Sequence, residues 1–113
     1  MPHRDDSLSV QQFQILLALT DEERHGYGII LDVAARTGGK TRLGTGALYT
    51  ALGRLAAAGL VRDTKHAGDD PRRRYYAITR TGREALRAHV ARLEQMLAQA
   101  RLKGLTTPAK GRP

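Results

Sequence analysis

The chain has 113 residues, with 19 lysines and arginines against 11 aspartates and glutamates, a formal net charge of +8 and no cysteine. This length suits one domain, and the missing cysteines exclude a disulfide framework, a thiolate nucleophile and a zinc site with cysteine ligands. No apolar run approaches the length of a membrane span, and the first residues lack the apolar core of a signal peptide. We therefore expect a soluble cytoplasmic protein without a membrane partner.

The charge is unevenly placed along the chain. Residues 1–38 carry a net charge of −3, whereas residues 39–113 carry +11. A basic C-terminal two-thirds favours a polyanionic partner, with nucleic acid first and a membrane surface second. The alternative is a basic protein whose charges are merely solvated.

The first third of the chain predicts a flexible leader over residues 1–8 and two helices. Ser9 can cap a helix over about 10–20, and Gly38-Gly39 ends a second helix that His25-Gly26 opens. On the first helix the apolar stripe is Val10, Phe13 and Leu17, with further apolar surface at Ile15, Leu16 and Leu19. On the second it is Tyr27, Ile30, Leu31 and Ala34.

The central stretch, residues 44–60, predicts a third helix. Leu48, Leu52 and Leu55 form one apolar stripe, Gly44 or Thr45 is the expected N-cap, and Gly59 the expected stop. The opposite face is small, polar and basic: Tyr49, Thr50, Gly53 and Arg54. Such a face fits a DNA major groove, whereas an ordinary surface helix is the alternative.

After Gly59 the pattern predicts a hairpin. Residues 60–66 and 73–79 are strand candidates, and the loop between them is dense in turn formers. The acidic pair Asp69-Asp70 would repel phosphate at the tip. Any phosphate contact from this hairpin should therefore come from Arg72, Arg73 and Arg74 behind the tip, with Lys65 on the first arm.

A long helix over residues 80–103 completes the predicted elements, followed by a disordered tail over 104–113. Its apolar positions alternate in steps of four and three, the spacing of a coiled-coil seam. They are Leu86, Val90, Leu93, Leu97 and Ala100. This seam suggests a homodimer, with Ile15 and Leu19 of the first helix as partner residues, although packing back on the first helix of the same chain is an equal alternative.

Three helices, a basic hairpin and a long helix make an α+β, mainly α, winged helix-turn-helix domain over residues 9–79 with a C-terminal dimerisation helix over 80–103. Across about residues 10–100 the chain also resembles the PadR-family transcriptional regulators. Four segments in order carry the resemblance: residues 25–30 (HGYGII), residues 46–49 (GALY) with Leu52 and Leu55, Gly59-Leu60, and residues 74–79 (RYYAIT) with Gly82. The resemblance implies a homodimeric repressor in which the third helix enters the major groove, the wing touches the flanking backbone and the last helix pairs with the partner's first helix. It also implies relief by a small apolar or phenolic ligand.

We therefore expect a sequence-specific regulator on double-stranded DNA with an inverted-repeat operator. The alternative is a winged-helix module for protein contact. Arg54 is placed to reach a base edge or an inner phosphate. The expected DNA-binding residues are Thr45, Gly46, Tyr49, Thr50, Arg54, Lys65, Arg72, Arg73 and Arg74. The expected dimerisation residues are Ile15, Leu19, Leu86, Val90, Leu93, Leu97 and Ala100.

An enzyme is not expected. The four histidines show no metal-ligand spacing, Gly44-x-Gly46 lacks the preceding strand of a phosphate-binding loop, and Ser7 and Ser9 have no partnered base. We accordingly predict neither a metal nor a cofactor.

Overall fold

The computed structural model describes residues 8–64 and 74–106, which form four helices and three short strands. In chain order the elements are α1 (Val10–Ala18), β1 (Arg24–His25), α2 (Gly26–Arg36), α3 (Thr45–Ala57), β2 (Val61–Thr64), β3 (Tyr75–Ile78) and α4 (Arg80–Leu102). The strands form one antiparallel sheet in the order β1-β3-β2. The predicted winged helix-turn-helix with a long C-terminal helix is confirmed.

The helix ends follow from local chemistry. Ser9 closes a capping box on α1, because its hydroxyl accepts from the Gln12 N–H while the Gln12 side chain accepts from the Ser9 N–H. His25 caps α2 by accepting the Gly28 N–H through Nδ1. Gly59, at φ +79°, ends α3 in the left-handed conformation that glycine adopts without strain. Residues 1–7 of the leader, the wing loop and most of the tail lie outside the described residues, whereas Leu8 packs against the core.

The core lies between the first three helices, the sheet and the start of α4. Its largest fully buried side chains are aliphatic: Ile15, Leu16, Leu19, Ile29, Val33, Leu48, Leu52 and Leu55. Each such side chain contributes roughly 1.5–3 kcal/mol through removal from water. The leucine stripe predicted for α3 is therefore correct, and it fixes the opposite face of α3 toward the outside.

The stripes predicted for α1 and α2 are only partly correct. Phe13 and Leu17 on α1 and Ile30 on α2 pack against the core while partly buried, but the centre of each buried face lies elsewhere. On α1, Val10 is 72% exposed, whereas Ile15, Leu16 and Ala18 are buried, as is Leu19 at the C-cap. On α2, Tyr27 is 64% exposed and Leu31 is exposed as well, whereas Gly26, Ile29 and Val33 are buried. A Cβ at Gly26 would overlap the Tyr49 hydroxyl and crowd Leu48. Close approach of α3 at this glycine therefore selects the buried face of α2.

Strand β1 was not expected. Arg24 pairs with Tyr76 and His25 with Tyr75, which adds a third strand beside the predicted hairpin. The Arg24 side chain fixes this strand: Nε donates to the Ala18 carbonyl at 2.7 Å, and the guanidinium lies 3.2–3.5 Å from the carboxylates of Asp21, Glu22 and Asp32. The acidic break after α1 thus becomes an anchor for the base of the wing.

The start of α4 is fastened to the end of α3. The Thr79 N–H donates to the Leu60 carbonyl at 3.0 Å, and the Thr79 hydroxyl donates to the Gly59 carbonyl at 2.6 Å. Gly82 lies so close that a Cβ there would overlap the Leu60 carbonyl oxygen. This contact sets the direction in which α4 leaves the domain.

Candidate nucleic-acid interface

Helix α3 turns a face of small residues outward. Gly46, Thr50 and Gly53 are all exposed, and a Cβ built on either glycine would have no described atom within 4 Å beyond its chain neighbours and its own helix backbone. Glycine inside a helix costs roughly 0.5–1 kcal/mol relative to alanine. Packing within the described part of the protomer gives no reason for this choice. The face can accept a surface from another molecule at short distance.

Thr45 and Tyr49 border the outward face in different ways. Thr45, the first residue of α3, is exposed, and Gly44 caps the helix without a side-chain hydrogen bond. Tyr49 is 46% exposed, and its ring packs over Gly26 of α2. Tyr49 therefore supports the angle between α2 and α3 as well as bordering the outward face.

Arg54 lies at the side of the outward face that borders α1. It lines a groove of about 240 Å³ with residues of both helices: Ser9, Gln11, Gln12, Ala47, Thr50 and Ala51. No described carboxylate pairs with its guanidinium. Its charge is therefore available to an anion.

The turn between α2 and α3 adds two cations that we did not predict as site residues. Lys40 and Arg42 are exposed, whereas Leu43 between them and α3 is buried in the core. The Thr37 hydroxyl accepts the Thr41 N–H at 3.0 Å, which holds the turn in shape. The basic run from Lys40 to Arg42 in the sequence is the signal that would have identified them.

The wing is described only at its base. Arg74 is exposed and forms an ion pair with Asp63 at 2.8 Å, so part of its charge is neutralised within the protomer. The predicted contacts Lys65, Arg72 and Arg73 lie outside the described residues. Tyr76 lies beside this pair, and its burial raises the pKa of its hydroxyl. Asp63 and Tyr49 raise this pKa further by smaller amounts, whereas Arg74 lowers it.

The predicted dimerisation residues fall into two groups. Ile15, Leu19 and Leu86 are buried inside the protomer and cannot face a partner, which corrects that part of the prediction. Beyond Leu86, α4 leaves the core. There Leu93 is 39% and Leu97 is 43% exposed, and Val90 and Ala100 are partly buried. Exposed Met96 extends this apolar strip, and the sequence interpretation overlooked it.

Residues 8–64 and 74–106 contain no group of three or more histidine, cysteine, aspartate or glutamate side chains that could hold a metal ion. Within the same ranges, no helix has the length and apolar character needed to cross a membrane.

The family comparison decides the class of protein. The model of the transcriptional regulator PadR-like family matches residues 15–88, which include α2, α3, the sheet and the first part of α4. The chain belongs to the PadR-like family of transcriptional regulators. The predicted resemblance is thus confirmed, and so is the expectation of a regulator rather than an enzyme.

Solved structures agree with the fold. A PadR family transcription regulator from Clostridium difficile R20291 is 21% identical, with a TM-score of 0.70 over 83% of this chain and 97% of that chain. Bacillus subtilis PadR, solved in complex with operator DNA, is 22% identical, with a TM-score of 0.64 over 73% of this chain and 47% of that chain. Both are similar to this chain in winged-helix architecture.

A curated relative is similar in sequence. A 37.1 kDa protein of transposon TN4556 from Streptomyces fradiae is 44% identical over 75 residues, 66% of this chain. The matched region is 20% of that relative, so the chain spans about a fifth of its length.

Proposed function

We propose that this PadR-family regulator binds double-stranded DNA sequence-specifically in the cytoplasm and represses transcription as a homodimer on an inverted-repeat operator. The observation that carries the proposal is the outward face of α3. It is small, exposed and free of described carboxylates, and it lies between the cations of the α2–α3 turn and Arg54. The structure of Bacillus subtilis PadR in complex with operator DNA supports DNA as the partner of this chain.

The α3 face and its cations have different tasks in this proposal. Thr50 lies at the centre of the face, where its methyl and hydroxyl groups can meet base edges in the major groove. Lys40 and Arg42 at the turn, and the wing cations, suit phosphates, which supply affinity and orientation but little sequence information. Thr45, Gly46, Tyr49 and Arg54 complete the proposed surface on α3.

The homodimer is proposed on the second half of α4. One recognition helix reads only a few base pairs, and helix-turn-helix proteins join two half-sites through a two-fold axis. The strip of Val90, Leu93, Met96, Leu97 and Ala100 is apolar and projects beyond the core. Phe13 and Leu17, partly exposed on α1, can extend the same interface. They take the place of Ile15 and Leu19.

We also propose that a small apolar or phenolic ligand relieves repression by binding within this dimer interface. Phe13 and His89 are neighbours there, with ring centroids 5.2 Å apart, and they offer an aromatic wall beside the apolar strip. A ligand that binds there shifts the spacing of the two α3 helices, and thus operator affinity. Titration of operator-bound protein with phenolic acids should release the DNA, and an unchanged affinity at ligand saturation would contradict the effector proposal.

The test of DNA recognition is selection from a pool of random duplexes by the purified protein, followed by sequencing. The selected site should bind roughly 10³-fold or more tightly than a scrambled duplex at physiological salt. A ratio near one, with binding that disappears as salt rises, would contradict sequence recognition. That result would favour the alternative, a winged-helix module whose basic face contacts an acidic protein.

A further inference from the structure

In the groove between α1 and α3, some polar side chains are already hydrogen-bonded and others have no described partner. Ser9 and Gln12 hydrogen-bond to each other in the capping box, at 3.0 and 3.1 Å, so these groups are already satisfied. Gln11 and Arg54 are exposed and have no described partner. The groove therefore offers an amide and a guanidinium on facing helices, and its lining residues include no carboxylate.

The charge carried by the described lining of the groove is positive. Arg54 carries the one full charge among the lining residues. The first turn of α1 contributes unpaired backbone N–H groups and the positive end of the helix dipole, and it contains no acidic residue that would cancel them. An anion that bridges the two helices would meet donors from both sides.

The groove is also continuous with the outward face of α3, because Thr50 belongs to both. We infer that it holds a phosphate of the DNA strand that flanks the base pairs under α3, with Gln11 and Arg54 as its ligands. This inference rests on the proposed function. It makes the start of α1 a further DNA contact and assigns Arg54 to the backbone rather than to a base edge.

The test compares two glutamines. Gln11→Glu places a carboxylate in the groove, whereas the matched control Gln95→Glu places one on an exposed face of α4 outside the apolar strip. On a short duplex of mixed sequence at low salt, Gln11→Glu should lower affinity about tenfold and the control should leave it unchanged. A carboxylate in the first turn of a helix is stabilising, so lost folding cannot explain the loss.

A gain of charge gives the converse result. Gln11→Lys should tighten binding and steepen the plot of log affinity against log salt by about 0.9, the value for one added phosphate contact. Arg54→Ala should weaken the selected site and the mixed-sequence duplex by the same factor. A Gln11→Glu protein with wild-type affinity, or an Arg54→Ala loss confined to the selected site, would overturn the inference while leaving DNA recognition intact. A wild-type protein that binds neither duplex would overturn the proposed function as well.

Discussion

Gly53 lies in the interior of α3, where alanine would be more stable by about 0.5–1 kcal/mol and would meet no described atom. Gly46 stands in the same situation nearer the start of the helix, and Thr50 lies between them. Together they leave the helix backbone uncovered along its outward line. In the proposed complex, that is where base edges and sugars come closest to the helix.

Gly53→Ala separates stability from binding. The variant should unfold at a higher temperature than the wild type, because the unfolded chain loses freedom and the added methyl group meets open space. Its affinity for the selected operator should fall about tenfold, or ~1.4 kcal/mol, because the methyl group stands between α3 and the DNA. Thermal melting and fluorescence anisotropy measure the two effects. A gain in both would show that nothing approaches this face closely.

Tyr76 predicts how stability depends on alkaline pH. Its pKa is raised in the folded protein, so between the ordinary value of 10.0 and the folded value the unfolded chain binds fewer protons than the native one. The contribution of Tyr76 to the free energy of unfolding is therefore fully present below pH 10 and is lost as the pH rises above it. Tyr76→Phe should lessen this decline in denaturant titrations, whereas Tyr27→Phe, at an exposed tyrosine, should leave it in place. Equal pH profiles for all three proteins would contradict the assignment.

At the scale of elements, the junction of α3, β2 and α4 is held by close backbone contacts. Gly82 packs on the backbone of Leu60, and Thr79 bonds both Gly59 and Leu60. A clash with backbone cannot be relieved by rotation of a side chain. The start of α4, and with it the position of the dimer strip relative to α3, depends on a residue without a side chain at position 82.

Gly82→Ala should therefore destabilise the protein by about 1–3 kcal/mol, the usual effect of overpacking. Gly46→Ala is the matched control, because it also lies in the first turn of a helix but faces open space. It should stabilise rather than destabilise. Urea titration of both variants gives the comparison, and a shift of the same sign in the two would refute the role of the Leu60 contact.

Local signals in the sequence were sufficient for most element boundaries. Ser9, Gly59 and the leucines of α3 act through chemistry within one or two turns, so their structures follow from their immediate neighbours. Strand β1 could not be predicted, because its two residues are strand only through pairing with β3, which lies far along the chain beyond α2 and α3.

The buried face of α2 shows a different limit. Tyr27, Ile30, Leu31 and Ala34 have the spacing of an amphipathic helix, but so do Gly26, Ile29, Ile30 and Val33. The second set is the one turned toward the core, because Gly26 admits the side chains of α3. Hydrophobic periodicity cannot distinguish two patterns that are shifted by one residue along the chain. Contact with another helix decides between them.

On the scale of the whole molecule, the charge asymmetry of the sequence separates charges that pair within the protomer from cations that stay exposed. Among the described residues, Asp32 lies between Arg24 and Arg36, at 3.5 and 2.7 Å, so its charge is neutralised within the protomer. Lys40, Arg42 and Arg54 remain exposed, in the turn and on α3. Part of the positive charge thus lies on the parts that we propose face DNA, where it accelerates association and makes affinity depend on salt.

Leu93→Asp tests the dimer on which this arrangement depends. Burial of Leu93 against a partner contributes up to about 1.5–3 kcal/mol per copy, and a two-fold axis doubles every change. The variant should sediment as a folded monomer at micromolar concentration and bind the operator weakly. Ala91→Asp, exposed on the opposite side of α4, should remain a dimer. A monomeric wild type with tight operator binding would show that the strip serves another purpose.

The most direct measurement of the central claim, that two α3 helices face the major groove of one operator, uses the absence of cysteine from the chain. Ala57→Cys creates a unique attachment point at the exposed end of α3 for an iron chelate that cleaves nearby DNA. On the selected operator, cleavage should occur in two symmetric clusters whose centres lie about one helical turn, roughly 10–10.5 base pairs, or a multiple of it apart. The same chelate at Ala91→Cys on α4 should leave both clusters uncut. A single cluster, or equal cleavage from both positions, would contradict the account.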